Sequence, residues 1–188
     1  MANEAELYIV TPRTYIVRTP TAVIERRLEV DVFFAEVDLG RAAQAEVAAD
    51  RVASVRFPPE WPGDALAGFP GWLERRRGHA AEPWVGTVID RDSLEAVGQM
   101  GCTALPDADG VVEVRYATNP GQRDRGLATE AGGAFVDWLL ARPEVHVVVA
   151  ECLVTNAASV RVLEKVGFTL LEEREDEEGR LLRWEKRG

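Results

Sequence analysis

The segment Arg123-Asp124-Arg125-Gly126-Leu127-Ala128-Thr129 gathers residue types that suit an anionic ligand. Gly126 clears the side chain from a point where backbone can approach a bound group, and Ala128 keeps the start of the next element small. Arg123 and Arg125 add positive charge, and Thr129 adds a hydroxyl. The preceding run, Val111–Thr118, reads as a strand, and Leu127–Leu140 sets Leu127, Ala131, Phe135 and Trp138 at helical spacings on one face. A strand thus passes through a short loop straight into a helix. The first N–H groups of such a helix lack internal partners and lie at the positive end of its dipole. A diphosphate can accept several of them at once in a nest. An ordinary tight turn reads in much the same way, so these residues alone leave both readings open.

Glu113 and Arg115 share one face of their strand, opposite Val112, Val114 and Tyr116. On that placement alone, Glu113 and Arg115 read as a surface ion pair of little energetic weight. Asn156 opens a helix over Ala157–Val166 that stops at Gly167, and by itself reads as a plain N-cap. Ser159, inside that helix, by itself reads as a serine bonded back to main chain.

The elements that must position these groups are clearest from Trp84 onward. Trp84–Ile89 and Ala96–Ala104 read as strands, and Pro106-Asp107-Ala108-Asp109-Gly110 is a turn before Val111–Thr118. Val145–Leu153 is a nearly continuous apolar strand of the kind buried on both faces. Phe168–Glu173 and Leu181–Lys186 close a hairpin around Glu178-Gly179. The order strand, strand, strand, helix, strand, helix, strand, strand predicts a mixed sheet with helices packed on it.

The first eighty or so residues are less patterned. Tyr8–Val10 and Tyr15–Arg18 read as short strands, and Thr19 as an N-cap with Pro20 at the first helical position of a helix reaching Glu29. Gly40–Val52 is alanine-rich and reads as helix. Phe57-Pro58-Pro59-Glu60-Trp61-Pro62-Gly63 carries too many prolines for a helix or a central strand. A helix over Asp64–Arg77 is broken in two by Gly68, Pro70 and Gly71. No repeat or low-complexity linker divides the chain, so residues 1–188 are expected to form one domain.

Composition narrows the function classes. The formal charge of −10 opposes a general nucleic-acid binder and suits a cationic small substrate. Much of the excess lies in the acidic run from Glu172 to Glu178, which reads as a solvated hairpin tip. No run of ~18 apolar residues is present to span a bilayer. The N-terminus, with Glu4 and Glu6, does not read as a signal peptide. Cys102 and Cys152 read as buried free thiols of a reducing cytoplasm. His79 and His146 have no ligand partners at usable spacing, so no metal is expected.

A family resemblance resolves the choice left open. R-D-R-G-L-A, Arg123 to Ala128, resembles the Q/R-x-x-G-x-G/A pyrophosphate signature of the GNAT superfamily of N-acetyltransferases, and Pro120 precedes it as in that family. N-A-A-S-V-R-V-L-E-K-V-G-F, Asn156 to Phe168, resembles its second motif, N-x-x-S-x-x-V-L-E-K-x-G-F. With V-E-V-R-Y before the loop and A-T-E-A after it, the stretch from Ala96 to Leu171 is most similar to the branch containing ribosomal-protein N-acetyltransferases. Residues 1–83 match much less well.

The resemblance implies an α/β (α+β) single-domain fold: a mixed, mostly antiparallel sheet, splayed between its central strands, with helices on both faces. It implies acetyl-CoA as co-substrate, its pantetheine arm inserted between Val111–Thr118 and Val145–Leu153. Main chain of Tyr116, Ala117 and Thr118 then holds the arm and polarises the thioester carbonyl. Arg123, Asp124, Arg125, Gly126, Leu127, Ala128 and Thr129 hold the diphosphate, and Asn156 the pantetheine. Asp124 stands where the branch often carries glycine or asparagine, and its carboxylate is expected to face solvent. Glu113 becomes the base, acting through water. Many relatives carry a tyrosine acid ahead of K-x-G-F; this segment has Glu164 there, and the resemblance implies Ser159, the serine of the N-x-x-S pattern, as the substitute of the related branch. Trp61 either walls the acceptor pocket or plugs the core, and Glu60 is placed to hold a cationic acceptor.

The acceptor sets how much a base is needed. An amine with pKa near 10.4 is neutral only about once in 2,500 at pH 7, whereas an α-amine near 7.8 is roughly 15% neutral. The expected activity is acetyl transfer to a primary amine of a small molecule in a ternary complex. A protein N-terminus, or a non-catalytic acyl-CoA-binding module, is the alternative. The expected partners are therefore a small amine or peptide N-terminus, with no nucleic acid and no membrane, a cytoplasmic location, and a homodimer permitted.

Overall fold

The computed structural model describes residues 7–39, 52–76, 84–176 and 179–188. Among them eight strands form one sheet, in the order β1 (Tyr8–Val10), β2 (Thr14–Arg18), β5 (Val85–Asp90), β6 (Ala96–Cys102), β7 (Val111–Thr118), β8 (Val147–Leu153), β10 (Gly179–Arg187) and β9 (Thr169–Asp176). Two more, β3 (Phe33–Asp38) and β4 (Val52–Phe57), form a separate antiparallel pair. Within the large sheet only β7 and β8 run parallel.

That parallel pairing is short. It covers Val111 with Val147, Val112 with Val148, and Glu113 with Val149. Beyond it β7 stays paired to β6 from Val114 to Thr118, while β8 stays paired to β10 as far as Leu153. The two central strands therefore part after Glu113, and the sheet opens a wedge in its middle.

Strand alternation divides the apolar residues into two layers. Ile16, Val88 and Val97 face one core, and their neighbours Val17, Ile89 and Ala96 face the other. The first layer packs under α3 (Leu127–Leu140) and α4 (Ala157–Val166); the second packs under α1 (Thr21–Glu29), α2 (Phe69–Arg76) and the β3–β4 pair. Helices thus cover both faces of the sheet.

Packing, more than propensity, holds α3. Gly132 and Gly133 lie inside it, each costing about 1 kcal/mol relative to alanine. Leu127, Phe135, Val136 and Leu139 are buried, and full burial of such side chains contributes about 1.5–3 kcal/mol each. α4 is short and relies on its ends. Asn156 Oδ1 accepts from Ser159 N–H at 3.1 Å. At the far end Gly167 is left-handed, with Gly167 N–H on the Glu164 carbonyl and Phe168 N–H on that of Leu163, a Schellman closure.

Several boundaries differ from the sequence reading. Thr19 is not the cap of α1: it is buried, and its hydroxyl shares a 2.9 Å hydrogen bond with that of Thr87 on β5. Pro20 is the cap residue and the helix begins at Thr21. The expected helix over Gly40–Val52 falls outside the described residues, apart from Val52, which opens a strand. The β3–β4 pair was not anticipated. The expected break in Asp64–Arg77 occurs where a 3-10 turn, Gly63–Gly68, gives way to α2.

Candidate active site

The N-terminus of α3 is open. Gly126 is its cap residue and supplies no side chain to its first amides. The first turn closes with Glu130 N–H on the Gly126 carbonyl at 3.1 Å, so the N–H groups of Leu127, Ala128 and Thr129 lack helical partners. Asp124 and Gly126 both have left-handed backbones, at φ +59 and +75. Such residues curl successive N–H groups into a concave nest, and aspartate is among the few non-glycine types that visit this region readily. A Cβ on Gly126 would meet Arg13 Nη2 at 3.5 Å, an ordinary contact. Within the chain, then, positive φ rather than crowding selects glycine here.

This open end faces a cleft of about 320 Å³. Tyr116–Thr118, the loop and the first turn of α3 form one wall; Asn156, Ser159, Val162 and Lys165 of the α4 segment form the other. The strand portion of the first wall is the part of β7 that has left β8, so the cleft meets the wedge in the sheet. Its polar rim is largely cationic. Arg123, Arg161 and Lys165 line it and are exposed, with Asp64 and Asp124 as carboxylates among them. Arg123 Nη2 pairs with Asp64 Oδ2 at 3.0 Å, and Arg125 donates to Gln122 Oε1. In a net-negative chain this mouth carries a small excess of positive charge, which favours an anionic ligand.

Hydroxyls lie deeper. The Tyr116 phenol, half-buried, donates to the main-chain oxygen of Ser159 at 3.4 Å. Burial pushes that phenol above its ordinary value, the Ser159 contact offsets part of the rise, and the nearby Cys152 thiol adds to it. Tyr116 is consequently a neutral donor at physiological pH. Glu113 sits on the opposite face of β7, half-buried, with Arg115 Nε donating to its Oε1 at 3.1 Å.

A family model for the acetyltransferase (GNAT) domain matches residues 27–169. The chain belongs to the GNAT family. This GNAT protein is an acetyl-CoA-dependent N-acetyltransferase. It is 33% identical over 116 residues to the uncharacterized N-acetyltransferase YjdG of Bacillus subtilis (strain 168), a match spanning 59% of this chain and 68% of that one. Among solved structures it resembles the ribosomal-protein acetyltransferase RimL in complex with coenzyme A, at TM-score 0.64 and 13% identity over 95% of this chain and 96% of the other. It also resembles a spermidine N-acetyltransferase chimera from Vibrio cholerae and hSSAT, at TM-score 0.62 and 13% identity, covering 93% of this chain and 95% of that one. At these identities the two structures share a fold with this GNAT protein.

The sequence-derived residues of this GNAT protein do not all gather in the cleft. Tyr116, Ala117, Thr118, Arg123, Asp124, Gly126–Thr129, Asn156 and Ser159 line it. Asp124 is exposed. Trp61 does not line it. Its side chain is fully buried, edge-on to Phe57 at 4.8 Å and to Phe69 at 5.6 Å, with Nε1 donating to the Gly98 carbonyl at 3.0 Å. That is the geometry of a core plug. Glu60, beside it, is exposed. Three features escaped the sequence reading: the Tyr116 phenol, and Arg161 and Lys165. The last two had a signal, since spacing of four on a helix whose cap is on the cleft puts them on one face.

Among the described residues no group of three or more His, Cys, Asp or Glu is arranged to hold a metal, and no helix is long and apolar enough to cross a membrane. Cys102 and Cys152 are buried. Burial pushes the Cys102 thiol up to about 12, so it is inert as a nucleophile.

Proposed function

We propose that this protein transfers the acetyl group of acetyl-CoA to the primary amine of a small molecule, by direct attack within a ternary complex. The observation that carries this reading is the uncapped start of α3, with left-handed Asp124 and Gly126, facing a cationic cleft that runs into the β7–β8 wedge. Acetyl-CoA supplies an acyl group already activated as a thioester. The free N–H groups of Gly126–Thr129 suit its diphosphate, with Arg123 and Arg125 adding charge. The wedge suits its amide-bearing arm, since β7 beyond Glu113 is paired only to β6 and leaves one edge for a strand-like ligand. Main chain of Tyr116–Thr118 holds that arm and orients the carbonyl. Asn156 adds a contact from the other wall.

Glu113 takes the proton of the incoming amine through water, on the face of β7 away from α4. The amine lone pair forms the C–N bond, the C–S bond breaks, and the sulfur receives a proton from a hydroxyl on the α4 side, which regains one from solvent water. Ser159 on α4, and the Tyr116 phenol that reaches across from β7 to the Ser159 main chain, are placed for this. A thiolate leaves readily, so this last donation accelerates the reaction without being indispensable. The acidic surface suits a cationic acceptor, with Glu60 exposed on the loop ahead of α2.

The test is thiol release from acetyl-CoA against a panel of small amines and N-terminal peptides, with Gly126→Trp as a blocked-site control. Turnover on small amines, absent in the control, supports the proposal. Turnover confined to peptides transfers it to protein N-termini. Absence of acetyl-CoA binding in the wild type sinks the coenzyme site altogether.

A further inference from the structure

Glu130 occupies the first turn of α3. A carboxylate there suits the helix dipole, yet it stands at the same end that a diphosphate would occupy. The chain meets this with donors from the turn between β1 and β2. Thr11 Oγ1 donates to Glu130 Oε1 at 2.6 Å, Arg13 main-chain N–H to the same oxygen at 2.9 Å, and Arg13 Nε to Oε2 at 2.7 Å. Arg13 Nη1 reaches further and donates to the Arg125 carbonyl at 2.8 Å. One guanidinium therefore ties the first turn of α3 to the loop residue just ahead of Gly126. The turn itself is braced: Thr14 is fully buried with its hydroxyl 2.7 Å from that of Thr11, and Arg91 Nη1 donates to the Thr11 carbonyl at 2.7 Å.

Arg13 Nη2 takes no part in these bonds. Apart from Gly126's own chain neighbours and helix backbone, it is the nearest heavy atom to the point where a Cβ on Gly126 would sit, at 3.5 Å, and it stands beside the cleft without being one of the residues that line it. We infer that Arg13 is a ligand of the coenzyme diphosphate: Nε and Nη1 lock the guanidinium onto Glu130 and Arg125, and Nη2 is presented to a phosphate oxygen over Gly126. This rests on the acetyl-CoA site proposed above. It assigns a coenzyme contact to the N-terminal segment, outside both motifs of the coenzyme half. A fixed, planar guanidinium suits that task better than a mobile ammonium, since two of its edges are already spent on holding it still.

The side chain is about half exposed, so its ion pair adds little to stability and substitution leaves the fold intact. Calorimetric affinities for CoA and dephospho-CoA are measured on wild type, Arg13→Ala, Arg13→Lys, Glu130→Gln and the Arg13→Ala/Glu130→Gln double variant, with thermal midpoints alongside. Wild-type binding is the check on the parent proposal; its failure condemns the coenzyme site and not Arg13 in particular. Given that binding, Arg13→Ala is expected to weaken both ligands equally by about tenfold or more, because both carry the diphosphate. Arg13→Lys falls between, and Glu130→Gln restores only part of the loss. Unchanged affinity in Arg13→Ala overturns the inference, as does a loss confined to CoA, which would mark a 3′-phosphate contact. Full restoration by Glu130→Gln overturns it too, since Arg13 would then merely neutralise a carboxylate.

Discussion

The phenol of Tyr116 donates across 3.4 Å to the main-chain oxygen of Ser159, joining β7 to the first turn of α4 over the cleft they wall. If this phenol protonates the departing sulfur, Tyr116→Phe lowers kcat by about tenfold, at the modest end for general acids because a thiolate leaves well. Acetyl-CoA affinity, read by calorimetry, stays at the wild-type value. Ser159→Ala has the smaller effect. An unaltered kcat in Tyr116→Phe would return the role to Ser159.

Glu113→Gln separates a base from a surface pair. Acting as base, Glu113 matters most where the acceptor amine is least often neutral, so the loss of kcat/KM is larger for lysine-like amines than for α-amines. The two acceptors assayed side by side across pH 6–9 give the comparison. Equal, small losses on both would leave Glu113 as the partner of Arg115 and nothing more.

Trp61→Ala tests the core assignment. Removing a fully buried indole that hydrogen-bonds Gly98 is expected to cost about 3–5 kcal/mol, seen as a lower urea midpoint. At permissive temperature the folded fraction keeps its coenzyme affinity, because Trp61 belongs to the layer under α1 and α2. A variant of unchanged stability with altered acceptor KM would instead make Trp61 a pocket wall.

Acid sensitivity follows from Glu130. Burial alone would raise its pKa, but the hydrogen bonds from Thr11 and Arg13, helped by the Arg13 charge, hold it below the ordinary 4.5. Its pKa is therefore lower folded than unfolded, and it stabilises the fold fully above about pH 4.5. That contribution fades as pH falls through the lowered folded value. Glu151, held low chiefly by Arg174 with Arg183 assisting, fades in the same direction. The informative quantity is thus the difference in thermal midpoint between wild type and Glu130→Gln, which shrinks from pH 7 to pH 3.

Legibility in the sequence tracked how local the cause was. α4 runs over the span its sequence predicts, Ala157–Val166, because Asn156 and Gly167 punctuate it from within a dozen residues. β7 is bounded as expected by Gly110 and Pro120. Thr19 misled, since a threonine before proline looks like a cap whether its hydroxyl turns to the helix or, as here, to Thr87 across the sheet. The β3–β4 pair carries apolar alternation at Phe33, Ala35 and Val37, but it is short and its partner strand is remote. Trp61 left two readings because a rigid loop can aim an indole either way. Arg13 lies 117 positions from Glu130, and nothing near either residue announces the other.

The two apolar layers have a consequence for laboratory evolution. The sheet is a partition: Ile16 and Val17, or Val88 and Ile89, are adjacent in the chain yet belong to different cores. Substitutions on opposite sides share few neighbours, and distant changes of that kind combine additively to within a few tenths of a kcal/mol. Libraries drawn from the helices α1–α2 on one side and α3–α4 on the other are therefore expected to recombine with little epistasis, whereas changes on the shared strands are coupled through the backbone.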